Sequence, residues 1–132
     1  MRVVLADDDG EMRDALRALL AEHPDIEVLG EAADGRAAVE RVLELRPTLV
    51  LMDVAMPRMG GIEATRLVLE ALPSVHVIGL SLHDDRHFVE AMRAAGASGY
   101  LLKDRVHAQL ARALRVVAAG GTCWPSGSEG RS

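Results

Sequence analysis

The sequence predicts an α/β domain, a parallel five-stranded sheet packed between two layers of helices. Three observations carry this expectation. Short apolar, β-branched runs alternate with segments of helical period along the whole chain, five of each. With connections this short, strand–helix–strand units can only be crossovers that return each strand parallel to the last. The third observation is the run Leu49-Val50-Leu51-Met52-Asp53, with Pro47 before it and Pro57 after. Four large apolar residues in a row read as a strand buried on both faces, and an acid closing such a strand stands at the crevice where open α/β sheets collect ligands.

The elements follow in order. Residues 2–6 form a short strand through Val3, Val4 and Leu5 and run into Asp7, Asp8 and Asp9. Residues 11–22 put Met12, Leu16, Leu19 and Leu20 on one helical face, and Pro24 ends that helix. A second strand is expected over 26–30, then a helix capped by Asp34 with Val39, Val42 and Leu43 on its stripe. Pro47 closes it and feeds the central strand. The loop 54–61 holds Pro57 and Gly60-Gly61, residues 62–72 form an apolar-faced helix, and Pro73 stops it. Residues 75–80 make the fourth strand, ending at Ser81. Asp84 and Asp85 can cap a helix that turns Phe88, Val89, Met92 and Ala95 inward, with Gly96 as its stop. The fifth strand spans 98–102 and ends at Lys103. A last helix over 105–119 buries Val106, Leu110, Leu114 and Val117 before Gly120-Gly121.

At 132 residues the chain is one domain with room for a sizeable core. Apolar residues make up 49 %, but the aromatics are Phe88, Tyr100 and Trp124 alone, so the core is aliphatic. A net charge of −5 argues against a sequence-independent grip on nucleic acid. No apolar stretch has the length of a membrane span, and no signal peptide precedes Val3. The lone Cys123 cannot close an internal disulfide. A cytoplasmic protein without membrane contact is expected.

The polar residues converge when each is set at its strand end: Asp7 and Asp8 after strand 1, Asp53 after strand 3, Ser81 after strand 4, Lys103 after strand 5. Taken singly, Asp7–Asp9 would be an ordinary turn or helix cap, Ser81 an ordinary strand end and Lys103 a surface lysine. Three carboxylates in one crevice repel unless a cation or proton joins them. Oxygen ligands of this kind suit Mg²⁺. A carboxylate nucleophile, a hard divalent cation, a hydroxyl and an ammonium are the parts for phosphoryl transfer to an aspartate.

With these residues in place the chain resembles response-regulator receiver domains of two-component signalling. The resemblance is carried by Ala6-Asp7-Asp8, Met52-Asp53 with Met56-Pro57 and Gly60-Gly61, Leu80-Ser81, and the block from Gly96 through Lys103-Asp104. That last block, with Ala32-Ala33-Asp34-Gly35 and Ala119-Gly120-Gly121, is similar to the subfamily of LuxR/NarL-type transcription regulators. The resemblance implies a flavodoxin-like, CheY-like (βα)5 doubly wound sheet of order 2-1-3-4-5, with the receiver domain over 1–122 and a linker or disordered tail over 123–132. It implies that Asp53 accepts a phosphoryl group from a sensor histidine kinase. Asp7, Asp8, Asp53 and the backbone carbonyl of Ala55 would hold Mg²⁺. Ser81 and Lys103 would bind phosphoryl oxygens, and Tyr100 would be the aromatic that turns inward on activation. Ala55 and His83 would border the attacking water and tune the lifetime of the phosphorylated state. Such a domain is no enzyme beyond its own aspartyl phosphorylation and dephosphorylation. A homodimer on phosphorylation is expected, through the first and last helices with Arg17, Arg112 and Arg115 as rim residues. DNA would be reached only through a helix-turn-helix output domain outside this chain.

Three positions depart from the family's usual pattern. Gly60 stands where an acid or amide is common, Asp104 replaces a frequent Pro, and Ser81 replaces the commoner Thr. The rival readings fare worse. A haloacid-dehalogenase-like phosphatase needs an acid two residues after the nucleophile, where this chain has Ala55. A flavodoxin-like nucleotide site needs N–H donors after strand 1, where Asp7, Asp8 and Asp9 would repel phosphate. A degenerate receiver would lack an acid or the lysine. A stand-alone receiver acting through protein contacts remains the alternative to a piece of a longer regulator.

Overall fold

The computed structural model describes residues 1–125. Five strands, β1 (Arg2–Ala6), β2 (Glu27–Ala32), β3 (Leu49–Asp53), β4 (His76–Ser81) and β5 (Gly99–Leu102), alternate with α1 (Gly10–Ala21), α2 (Gly35–Leu45), α3 (Gly61–Ala71), α4 (Arg86–Ala95) and α5 (Val106–Ala118). All pairings are parallel and the order is β2-β1-β3-β4-β5, as expected.

Strand alternation builds the two cores. Val3, Leu5, Leu49, Leu51, Ile78, Leu80 and Leu101 face α1 and α5, meeting Leu16, Leu20, Leu110, Leu114 and Val117. Val4, Ala6, Val50, Met52 and Val77 face α2, α3 and α4, meeting Ala38, Val42, Ala64, Val68, Val89 and Met92. Every residue of β3 is buried, which is why that strand shows no polar alternation.

The helix starts are written locally. Asp9 caps α1 by accepting from the N–H of Glu11 (3.0 Å), Asp34 caps α2 from Ala37 (2.8 Å), and Asp85 caps α4 from His87 (2.8 Å). Of the pair Asp84 and Asp85, the second is thus the cap. Arg2 spans to the other end of α2, donating to the carbonyls of Leu45 and Arg46 at 2.9 and 3.1 Å.

Several boundaries and faces differ from expectation. β2 runs on to Ala32 because its whole length pairs with β1. Leu43 points to solvent, 42 % exposed, because the buried stripe of α2 runs through Ala38 and Val42, with Leu45 half-buried beside it, and Leu43 sits one 100° step away. Phe88 and Ala95 are half-buried rather than core. Residues Lys103–Arg105 form a 3-10 turn ahead of α5.

The chain also stays docked past residue 122. Cys123 makes a parallel bridge to Gly99, accepting from the Tyr100 N–H at 2.8 Å and donating to the Ser98 carbonyl at 3.1 Å. The Arg93 guanidinium lies 4.2 Å from the centre of the Trp124 ring. These contacts cover the open edge of β5. Residues 123 and 124 of the expected tail are thus packed against β5 and α4, and residues 126–132 of it lie outside the described part. No described helix is long and apolar enough to cross a membrane.

Candidate functional site: an acidic cluster at the strand ends

The carboxyl ends of β1 and β3 are adjacent in the sheet, so Asp7, Asp8 and Asp53 come together without any special folding of loops. One carboxylate oxygen from each lies within 4.8 Å of the others. Asp7 is fully buried and Asp53 is 3 % exposed, while Asp8 stands at the solvent side. Lys103 enters from the end of β5, its side chain 8 % exposed, with Nζ 2.8 Å from Asp7 Oδ2 and 3.2 Å from Asp53 Oδ2. The crevice thus holds three acids against one ammonium.

Each carboxylate is partly satisfied by the turn that follows it. Asp7 Oδ1 accepts the Asp9 N–H at 2.9 Å, and Asp53 Oδ1 accepts the Ala55 N–H at 3.2 Å. Asp7 Oδ2 is buried and faces the Lys103 ammonium at 2.8 Å. Burial raises the pKa of Asp53, the Asp7 charge raises it further, and the Ala55 N–H and Lys103 offset only part, leaving it at about 6. For Lys103, burial pulls the pKa down, but the carboxylates of Asp7 and Asp53 outweigh it and the net shift is upward.

A divalent cation fits this set. The donors are all hard oxygens within 4.8 Å of one another, and three carboxylates against one ammonium leave a negative surplus. Asp7, Asp8 and Asp53 are the residues able to hold it.

The rest of the expected site lies around the same crevice. Ser81, 3 % exposed, ends β4, whose Leu80 pairs with Asp53, and its Oγ accepts the His83 N–H at 3.1 Å. Ala55 and His83 are both exposed, each tied through its backbone to a site side chain two residues earlier. Tyr100 is already inward, 1 % exposed, with an unpartnered hydroxyl, and burial raises its pKa. The space for its ring comes from Gly79, where a Cβ would stand 3.2 Å from Tyr100 Cδ2 and 3.0 Å from Met92 Cε.

Sequence reasoning missed two supports of the site. Gly61 lets α3 approach the acceptor strand, since a Cβ there would stand 2.1 Å from the Asp53 carbonyl oxygen. Its only sequence signal was the Gly60-Gly61 pair. Arg13 donates to the Asp7 carbonyl and to Glu31, which also accepts Arg17. Burial alone would raise the Glu31 pKa, but these two arginines hold it below the usual range. Two of the expected rim arginines are therefore engaged within the chain: Arg17 with Glu31 at 2.7 Å and Arg115 with Asp25 at 2.5 Å. Arg112 is the exposed one that remains.

A doubly wound sheet whose strand ends gather three acids and a lysine around a buried aspartate defines a class, and comparison with known proteins supplies the family. Residues 3–115 match the family described as the response regulator receiver domain, and the chain belongs to it. It is 41 % identical over 121 residues to the transcriptional regulatory protein DegU of Brevibacillus brevis, covering 92 % of this chain and 51 % of that one. The response regulator GacA of Pseudomonas viridiflava is 36 % identical over 120 residues, covering 91 % of this chain and 56 % of its own. Among solved structures, a LuxR-family two-component response regulator from Aurantimonas sp. SI85-9A1 superposes with a TM-score of 0.88 at 34 % identity, covering 92 % of this chain and 87 % of that one. The signal receiver domain of the putative regulator NarL from Mycobacterium tuberculosis gives 0.86 at 33 %, covering 90 % of this chain and 96 % of that one. The chain spans about half the length of the curated relatives it matches.

Proposed function

We propose that this domain accepts a phosphoryl group on Asp53 from the phosphohistidine of a sensor histidine kinase. The observation that carries the reading is the Asp53 carboxylate itself: buried at the end of β3, facing Lys103 at 3.2 Å and gathered with Asp7 and Asp8. An Asp53 oxygen bonds to phosphorus as the N–P bond breaks, and the imidazole leaves with the electron pair of that bond. Asp7, Asp8, Asp53 and the Ala55 carbonyl would hold Mg²⁺, which supplies neutralisation of charge on the transferring oxygens. Lys103 pairs with one phosphoryl oxygen and Ser81 donates its hydroxyl proton to another, its oxygen remaining free to accept the His83 N–H.

The output is a change of shape on the helix faces beside β4 and β5, read by a dimer partner through α1 and α5 and by a DNA-binding domain outside this chain that regulates transcription. Similarity to transcriptional regulators supports that last step. Intact mass after incubation with Mg²⁺ and acetyl phosphate tests the acceptor. One added phosphoryl group is expected on the parent and none on Asp53→Asn. Equal labelling of the two would remove Asp53 from its role.

A further inference from the structure

The backbone of the metal-facing turn is held from outside the crevice. Arg13, in the first turns of α1, donates through Nη1 to the Asp7 carbonyl at 2.5 Å and through Nε to Glu31 Oε1 at 2.8 Å. Glu31 is fixed near the end of β2, and its second oxygen accepts Arg17 Nε at 2.7 Å. The other handles of Asp7 are already used: its N–H donates to the Ala32 carbonyl at 3.0 Å and its Oδ1 accepts from Asp9. The carbonyl is the group that sets the rotation of the peptide leading to Asp8. Asp8 is exposed, so that peptide largely decides where its carboxylate stands.

We propose that Arg13, oriented by Glu31, is a positioning residue that fixes the Asp7–Asp8 peptide and thereby sets the divalent-cation affinity of the acidic cluster. This rests on reading the cluster as a Mg²⁺ site. The sign of the effect separates positioning from simple electrostatics. A guanidinium this near the site repels a cation, so deleting it would tighten binding if charge alone mattered. Loss of positioning weakens binding instead, as removal of groups that orient metal ligands generally does.

The test is calorimetric titration of the full chain with Mg²⁺, for the parent, Arg13→Ala, Arg13→Lys, Arg17→Ala and Asp8→Asn. Amide NMR of the metal-free chain reports the Asp8 and Asp9 signals independently of any metal. Arg13→Ala is expected to raise Kd about tenfold and to shift or broaden those amides. Arg13→Lys should behave alike, since one ammonium cannot span both Asp7 and Glu31, and it keeps the test available if the alanine variant folds poorly. Arg17→Ala, which touches Glu31 but not Asp7, should stay within about twofold of the parent. Unchanged or tighter binding in the Arg13 variants, with Asp8→Asn abolishing it, overturns the role of Arg13 alone. Binding that survives Asp8→Asn unchanged overturns the metal reading beneath it.

Discussion

Replacing Asp53 by asparagine should stabilise the metal-free domain, and the gain should appear only as the pH rises. The Asp53 carboxyl has a pKa of about 6 in the fold against 3.8 for the free group. The native state therefore binds its proton more tightly than the unfolded chain does. Between those values the folded form holds more protons, so stability falls as pH rises, and above about pH 6 the full cost of the buried charge is present. A difference of that size corresponds to at most roughly 3 kcal/mol. The crevice opens to water at Asp8, and Asp7 and Lys103 share the titration, so about 1–2 kcal/mol should survive. For a chain of this size that is about 4–8 °C in Tm. Urea and thermal unfolding of parent and Asp53→Asn, in chelator, at pH 4.5 and 7.5, measure it. The gap at the lower pH should be about a third of that at the higher, because pH 4.5 already lies above the carboxyl's unfolded value. Excess Mg²⁺ at pH 7.5 should narrow the gap by stabilising the parent. A variant no more stable at pH 7.5, or equally favoured at both pH values, would refute the account of Asp53 as a charge held at a cost.

Gly61→Ala should destabilise by about 2–3 kcal/mol and depress Asp53 phosphorylation, because its Cβ would run into the Asp53 carbonyl at 2.1 Å. Gly120→Ala is the control, since nothing lies within 4 Å of its Cβ and only the positive φ of 99° opposes it, so urea midpoints should separate the two and equal losses would contradict the steric account. Ala55 offers no polar group to an attacking water, and on the proposed function the His83 side chain, two residues after Ser81, would shield the phosphorus. The acyl phosphate should therefore decay slowly, and Ala55→Asn/His83→Glu should decay faster in a phosphate-release assay. An unaltered rate would free the lifetime from these two positions. Light scattering well above micromolar concentration should show a dimer once a phosphoryl mimic is bound, and a persistent monomer would count against the α1–α5 pairing.

Periodicity and local chemistry were enough to place five strands, five helices, the Asp34 cap, the Asp84-Asp85 pair that supplies another, and an acid at the end of each of two strands. Those features depend on residues within a few positions of one another: Asp34 caps the N–H three residues on, and β3 is apolar throughout because both its faces are covered. That Lys103 would meet Asp53 across 50 residues followed from setting each at its strand end. What only the tertiary structure decided joins distant positions with no such rule behind them, as where Arg115 reaches Asp25 across 90 residues. That Arg13 holds Asp7, that Gly79 makes room for Tyr100, and that Cys123 pairs with Gly99 leave no periodic trace either. The same holds for the rim arginines. Sequence shows an exposed cation on a helix, whereas its partner depends on which strand end the sheet carries beside it, and strand order is a property of the packed whole.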